Sequence, residues 1–474
     1  MPLPLYDFQR EDVEKLLEVP AGLLGSDMGS GKTLISVEMD NQWGYQGAKT
    51  LVVAPLTSLE TTWVRWFHKQ APNLKVVFCN SKKRAEFAKQ VASGEADVYI
   101  VHWEAIRLLP ELAMRRWSLI IADECQRMKN RKSQQTRALK KLKSDHRLAL
   151  SGTAADNKPT DIWSTLNWLY PSRYTSYWRW YKKYVDFEVV YPQGFHKVKG
   201  IKPEMLDEYL KEIEPFYVRH LKREKCCDKH PSGVMPWLPD KYYTPLWVDL
   251  DPVQRKAYDQ MRKTQIAWVG EHEDTPLVAP VVISQLQRLQ QFALCHMRVD
   301  DEDRDHPYKM CEPSSKLDLC IEVINATTEP VVVFSQFKQI IVLLEARLAA
   351  KKITYALITG DVKPADRAKN IEAFQEGKIH VMAGTIAAGG VGIDLFKSST
   401  VIFLDRAWSP AMNIQAEDRL WRDGQKNAVQ VFDIMARNTV DYGRKQSIDQ
   451  KWVWLKQMFG DDTTSMQIAA QEEG

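Results

Sequence analysis

Cysteine is scarce in this chain, seven in 474 residues. That is too few for a disulfide framework, and the odd count argues for a reducing compartment. Long apolar runs are missing too. Stretches such as Val331-Val332-Val333-Phe334 and residues 340–344 fall far short of the ~20 residues that span a bilayer as a helix. The first twenty residues carry Asp7, Arg10, Glu11, Asp12, Glu14 and Lys15, so no signal peptide is expected there. Net charge is almost absent: 65 Lys and Arg against 61 Asp and Glu leave +4. This excludes a histone-like polybasic protein but not nucleic-acid binding, for which a local basic stripe suffices. No period of 20–50 residues repeats, and no low-complexity segment stands out. The expectation is a cytoplasmic protein, nuclear in a eukaryote, with no membrane contact.

What is present is ordinary globular chemistry. Hydrophobic residues make up 44% and charged residues 27%, in a chain long enough for two to four domains with large cores. Leu51-Val52-Val53-Ala54, Val98-Tyr99-Ile100-Val101 and Leu119-Ile120-Ile121-Ala122 read as buried strands. So do Val331-Val332-Val333-Phe334, His380-Val381-Met382-Ala383 and Val401-Ile402-Phe403-Leu404. Helical patterns lie between them, which predicts βαβ units and parallel sheets. The pattern occurs twice, over about residues 20–155 and 330–435, so two α/β lobes are expected. Residues 228–245, with Pro231, Gly233, Pro236, Pro239 and Pro245, read as an extended linker. Residues 252–300 read as helical and residues 300–313 as a loop. The expected domains are 1–230 (a first lobe with a helical protrusion over about 160–230), 231–320 (linker and second protrusion) and 321–474 (second lobe and tail).

Two motifs carry chemistry. Ser26-Asp27-Met28-Gly29-Ser30-Gly31-Lys32-Thr33 follows an apolar stretch and precedes a helical one. A glycine-rich turn aims backbone N–H groups inward, and the helix that follows adds positive potential; both favour phosphate. Lys32 would contact the β- and γ-phosphates and Thr33 would ligate Mg²⁺. Ser26 stands where the general pattern has glycine. About 90 residues on, Leu119-Ile120-Ile121-Ala122-Asp123-Glu124-Cys125-Gln126 is an apolar strand ending in two carboxylates. Asp123 would hold Mg²⁺, and Glu124 would polarise the attacking water.

The motif set resembles the Swi/Snf-like ATPases of helicase superfamily two, from about residue 3 to residue 440. Leu5-Tyr6-Asp7-Phe8-Gln9 is similar to the N-terminal glutamine motif, which implies that Gln9 reads adenine. Residues 27–33 are similar to the family's phosphate loop, with Gly29, Ser30 and Gly31 around the nucleotide. Val53-Ala54-Pro55-Leu56, with Trp63 and Trp66, resembles the motif that touches the nucleic-acid backbone, which implicates Pro55. Residues 123–130 resemble the DExH box and its Lys129-Asn130 extension, and Lys129 is the basic residue most expected on DNA. Gln126 stands where the box has histidine, the usual relay to the coupling motif; Leu150-Ser151-Gly152-Thr153-Ala154 resembles that motif. In the second half, Phe334-Ser335-Gln336-Phe337 and Thr359-Gly360, with Arg367 and Phe374, resemble further motifs. So do Gly384-Thr385 and residues 389–395, which put Gly392 and Asp394 at the nucleotide. Residues 415–425, from Gln415 through Arg419 and Arg422 to Gly424-Gln425, resemble the sixth motif, and residues 405–410 with Trp408 fit the same branch. Arg219 with Lys222, Leu238-Pro239-Asp240-Lys241, and Gln254 with Tyr258 resemble its inter-lobe region.

The resemblance implies two tandem RecA-like lobes, ATP and Mg²⁺ as cofactors, and duplex DNA (branched or single-stranded DNA being alternatives) as partner. A monomer is expected, of the minimal form without accessory domains found in phage or bacteria. Arg419 and Arg422, three apart, are expected on one side of a helix, as arginine fingers. Ser335, Gln336, Thr359, Gly360, Thr385 and Trp408 are expected on DNA, mostly on phosphate. Ser151, Thr153 and Gln415 are expected in coupling. The expected activity is DNA-stimulated ATP hydrolysis driving translocation on duplex DNA and remodelling of DNA or protein–DNA complexes. A strand-separating, fork-remodelling or annealing helicase, or a non-hydrolysing ATP-gated scaffold, are alternatives. Residues 163–184, with four tryptophans and five tyrosines, read as helical core rather than a base-stacking platform. His220, Cys226, Cys227, His230, Cys295, His296 and Cys311 show no Cys-x-x-Cys pair, so free thiols are expected in place of zinc.

Overall fold

The structure is a computed structural model and describes residues 2–43, 47–79, 82–153, 155, 158–190, 195–271, 278–299, 308–389 and 393–461. The chain divides into two units: Met1–Trp237 with the segment from Lys451, and Leu238–Gln450. The sequence places residues 321–474 in the second lobe and its C-terminal tail. The helix Val440–Met458 begins in the second unit and ends in the first. Leu455, Met458 and Phe459 are buried in the first unit's core. Among the described residues no helix is long and apolar enough to cross a membrane.

The first unit is built on a parallel sheet. Its strands are β1 (Ala21–Leu24), β2 (Thr50–Ala54), β3 (Val76–Phe78), β4 (Val98–His102), β5 (Arg116–Asp123) and β6 (Lys143–Leu150). The hairpin β7 (Val185–Val190) and β8 (Phe195–Ile201) stands apart, and β9 (Tyr217–Val218) closes the edge. The order is β3-β4-β2-β5-β6-β1-β9. The apolar runs are continuous because both faces are covered. Leu51 and Val53 enter the core on one side, Val52 and Ala54 the core on the other. This order sets β5, β6 and β1 side by side. Their carboxyl ends release Asp123-Glu124, Ser151 and the glycine-rich loop next to one another, where open α/β sheets bind ligands.

The second unit carries β10 (Lys241–Val248), β11 (His296–Val299), β12 (Tyr308–Cys311), β13 (Val331–Ser335), β14 (Tyr355–Ile358), β15 (Val381–Thr385), β16 (Thr400–Phe403) and β17 (Val429–Ala436). Its main sheet runs β10-β17-β16-β13-β15-β14, every pair parallel. The six runs read from sequence as buried strands are β2, β4, β5, β13, β15 and β16. Two sheets of this kind are the tandem RecA-like lobes of the expected α/β class. Two local expectations are corrected. The end of the supposed linker is β10, which among the described residues pairs only with β17; an edge strand tolerates Pro245, which has no N–H to give. The supposed loop at 300–313 ends in β12, antiparallel to β11; residues 300–307 lie outside the described residues.

The aromatic segment forms the helices Trp163–Leu169 and Tyr177–Tyr184. Trp163, Trp168, Tyr174, Trp180, Tyr181 and Tyr184 are buried in the first core. Trp178 is exposed. Packing, not base stacking, accounts for most of these rings.

Candidate nucleotide-hydrolysis site

The glycine-rich loop joins β1 to the helix Lys32–Trp43. Gly29 and Gly31 have φ of 81° and 86°, the left-handed region that side chains with a Cβ avoid. Gly31 is needed for a second reason: a Cβ there would lie 2.3 Å from Gln9 Nε2. Gln9 is buried, donates to the Ser30 carbonyl at 2.9 Å and accepts from the Tyr6 N–H at 3.0 Å. Gln9 therefore braces the loop from behind. Lys32 Nζ donates to the carbonyls of Ser26 at 2.7 Å and Asp27 at 2.9 Å. Burial pushes its pKa down to about 8, against the pull of Glu124, Asp27 and Asp123.

The carboxylates at the end of β5 are held from several sides. Asp123 Oδ2 accepts from the Trp63 indole at 3.0 Å and Oδ1 from the Glu124 N–H at 3.0 Å. The Trp103 indole donates to the Asp123 carbonyl at 2.9 Å. Burial, then the neighbouring Glu124, raise Asp123 to about 7, while Trp63 and Lys32 oppose the shift. Two adjacent carboxyls kept partly dry offer oxygen ligands of the kind a hard divalent cation takes. Glu124 takes a left-handed backbone conformation, φ 53° and ψ 53°. A non-glycine residue in that region carries strain, which is common at functional sites.

A hydrogen-bond chain leaves Glu124. Gln126 Nε2 donates to Glu124 Oε2 at 2.6 Å, and Gln126 Oε1 accepts from the Ser151 hydroxyl at 2.8 Å. Ser151 Oγ in turn accepts from the Thr153 N–H at 2.9 Å. An amide can donate at one end and accept at the other, so glutamine spans the position at which the family has histidine.

Several residues singled out in the sequence make contacts within the fold. Trp63 was placed on the nucleic-acid backbone, yet it is fully buried with its N–H on Asp123. It sits in a wide π-helical turn, Leu59–Val64. No side-chain pattern announces such a turn. Pro55 is buried too, and its carbonyl accepts from Ser58. Arg219 lies within the first unit: it donates to the carbonyls of Gly25 at 2.6 Å and Gly152 at 3.3 Å, and pairs with Asp461 at 2.7 Å. It therefore ties the glycine-rich loop to the segment that follows β6. The expected resemblance offered Arg219 but not this use.

In the second unit, Ser335 is buried and donates to Asp405. Gln336 Nε2 donates to Asp405 Oδ2 at 2.9 Å and to the Arg406 carbonyl at 2.7 Å. Both side chains are engaged around Asp405. Thr359 is buried and its carbonyl accepts from Arg367 at 2.9 Å, whereas Gly360 is exposed. Thr385 Oγ1 accepts from the Ala388 N–H at 3.3 Å, and the Trp408 indole donates to Gln290 at 3.1 Å. Lys129 is exposed. Arg419 and Arg422 do not share a helix: the helix Pro410–Glu417, which carries Gln415, ends before them. They lie in turns knitted to residues 393–398. Arg422 pairs with Asp394, the Arg419 carbonyl accepts from the Leu395 N–H at 2.9 Å, and Gln425 donates to Ser398 at 2.8 Å. Gly392 lies outside the described residues.

One network was missed. Glu417 accepts from Lys241 at 2.9 Å, from Tyr243 at 2.7 Å and from Arg406. Arg406 also grips Asp433 with two bonds, at 2.5 and 3.0 Å. Burial opposes its charge, yet Lys241 and Arg406 hold the Glu417 carboxyl down at about 2. The basic residues sit in separate motifs, so nothing in the sequence joins them.

A family profile described as SNF2-related domain matches residues 9–297, and one described as helicase conserved C-terminal domain matches residues 315–424. The chain belongs to the SNF2-related family. It is 27% identical over 99% of its length to an uncharacterized ATP-dependent helicase of Mycoplasma genitalium, of which it covers 44%. It is 28% identical over 89% of its length to the transcription regulatory protein SNF2 of Saccharomyces cerevisiae, covering 25%. A putative ATP-dependent helicase/translocase, YwqA, of Bacillus subtilis is 27% identical over 95% of the chain, with 48% of that protein covered. The chain thus spans less than half the length of these curated relatives. The Sulfolobus solfataricus SWI2/SNF2 ATPase core in complex with dsDNA superposes at a TM-score of 0.45, with 22% identity and 97% of each chain covered.

Proposed function

We propose that the protein is a DNA-stimulated ATPase that translocates on duplex DNA and remodels DNA or protein–DNA complexes. The observation that carries this reading is the unbroken chain from Glu124 through Gln126 to Ser151 and Thr153. It links the residue placed to orient the attacking water to the segment that the family uses for coupling. A hydrolase alone has no need of that link. Relatives named as ATP-dependent helicases and a translocase support the same reading.

In this reading the residues 26–33 cradle the triphosphate, and Lys32 leaves its carbonyl partners for the β- and γ-oxygens. Thr33 and Asp123 would hold Mg²⁺, which supplies charge neutralisation on those oxygens when bound. Glu124 orients water. Gln9 braces the loop and, as the family resemblance implies, reads the base. Arg419 and Arg422 supply further positive charge to the transition state; fingers of this kind are worth ~10³–10⁵ in rate elsewhere. Asp394 holds Arg422 until then. Lys129, Gly360, Thr385 and Trp408 contact the DNA, mainly at phosphate, so that movement is indifferent to sequence.

The test is ATPase rate with single-stranded, duplex and forked DNA, beside triplex and strand displacement. Stimulation by long duplex with triplex displacement alone supports the reading. Strand displacement favours a helicase, and no hydrolysis with duplex present sinks both. Lys32→Ala and Glu124→Gln should abolish hydrolysis, while Arg422→Ala should spare nucleotide binding.

A further inference from the structure

Behind the phosphate loop three titratable side chains from separate segments form a line. Asp12, on the helix Asp7–Leu17, is buried, and its Oδ1 is 2.7 Å from His220 Nε2. His220 Nδ1 faces Cys226 Sγ at 3.6 Å. The imidazole is therefore engaged at both nitrogens, as an imidazolium between two anions would be. Asp12 Oδ2 is buried with no hydrogen-bond partner among the described residues, so the carboxylate's charge is answered chiefly by His220. The other groups facing the line are Glu11, paired with Lys229 at 3.0 Å, His230, whose ring is 5.4 Å from that of His220, and Cys227. The nucleotide chemistry uses none of these side chains.

We propose that Cys226 is a reactive thiolate, held by His220 and Asp12, and a site of covalent modification by peroxides and soft electrophiles. Burial opposes the charge on both partners. The hydrogen bonds and charges of Asp12 and Cys226 still raise His220 to about 9, and His220 brings the Cys226 thiol below its usual range. Cys226 is partly exposed, so a small reagent can reach it. Cys79, Cys125, Cys295 and Cys320 are buried, and burial raises each thiol, Cys320 to about 12. Thiolate fraction and access together select the reactive cysteine.

With a peroxide, the Cys226 sulfur attacks one oxygen and the O–O bond breaks. Sulfur loses two electrons to become a sulfenic acid. The departing hydroxide takes the proton from His220 and leaves as water. His220 is also tied to the phosphate loop through its backbone. Its N–H donates to Ser26 Oγ at 3.1 Å, and its carbonyl accepts from the Asp27 N–H at 2.9 Å. Oxidation removes the ion pair at the root of the loop and slackens it. That consequence rests on the nucleotide reading of the loop; the reactivity of the thiol does not.

The test is alkylation of the full chain by iodoacetamide from about pH 5 to 9, with the rate at each cysteine read by mass spectrometry. Cys226 should react at least ~10-fold faster than Cys227 and Cys311 near pH 6.5, with a midpoint below the ~8.5 of a free thiol. His220→Asn and Asp12→Asn should each raise that midpoint. Equal rates in the unmutated protein overturn the proposal, whether or not the variants fold. So does an unmoved midpoint in both folded variants. In a second arm, hydrogen peroxide with a 1,3-diketone trap should label Cys226 and lower the ATPase rate, while Cys226→Ser keeps its rate. Labelling with unchanged ATPase overturns the link to the loop. Absence of any ATPase before treatment counts against the proposed function alone and leaves the alkylation result decisive.

Discussion

The side-chain amide of Gln126 donates to the Glu124 carboxylate at 2.6 Å, and the same side chain accepts from Ser151. A neutral amide thus connects the Glu124 carboxylate to the Ser151 hydroxyl.

Gln126→Leu should therefore keep nucleotide affinity and lose turnover. A hydrogen bond to a charged group is worth about 1.5–3 kcal/mol, so kcat should fall roughly 10–100-fold, and stimulation by DNA should fall with it. Gln126→His should keep coupling and introduce a pH dependence near 6.5, the ordinary histidine value. Steady-state ATPase with and without DNA, across pH, decides this.

Trp63→Phe keeps most of the packing and removes the indole N–H from Asp123. A buried carboxylate that loses a donor costs about 1–3 kcal/mol. Denaturant unfolding should show that loss. The Mg²⁺ concentration for half-maximal hydrolysis should rise, because Asp123 ionises less readily without its donor. A stability loss with unchanged Mg²⁺ dependence would reduce Trp63 to a packing residue.

Glu417 gives the clearest pH signature. Its carboxyl lies at about 2 in the fold, against a reference of 4.5. The depressed value means that its stabilisation is fully present above about pH 4.5 and fades as pH falls toward 2. Glu417→Gln should cost about 3–5 kcal/mol near neutral pH, the usual penalty for breaking a buried pair. The Tm gap between the two proteins should narrow steadily below about pH 4.5. A gap independent of pH would mean that the ion pairs do not hold this carboxyl down.

Ser335 and Lys129 should separate fold from grip. Ser335→Ala, which strips a buried donor from Asp405, should lower stability by about 1–3 kcal/mol and leave the salt dependence of DNA binding unchanged. Lys129→Ala should do the opposite, with stability within ~0.5 kcal/mol and the salt slope reduced by about 1. Fluorescence anisotropy over a range of salt concentrations, beside thermal unfolding, tests both.

Sequence alone determined the parts that are local. Short continuous apolar runs rich in β-branched residues and bounded by polar ones read as strands covered on both faces, so β2, β4, β5, β13, β15 and β16 were legible, and with them two parallel sheets. The glycines at 29 and 31 announced their turn because few other residues accept positive φ. Asp123 and Glu124 stood out as charge at the end of an apolar run. The tertiary structure decided what depends on pairing between distant segments. The order β5-β6-β1 brings Gln126 to Ser151, and a π-helical turn aims Trp63 at Asp123. Asp405 recruits Ser335 and Gln336 inward, and a proline-bearing stretch becomes an edge strand because β17 offers its side. Each of these rests on a hydrogen bond between residues tens to hundreds of positions apart. Period and composition describe only neighbours along the chain, so they carry no record of such bonds.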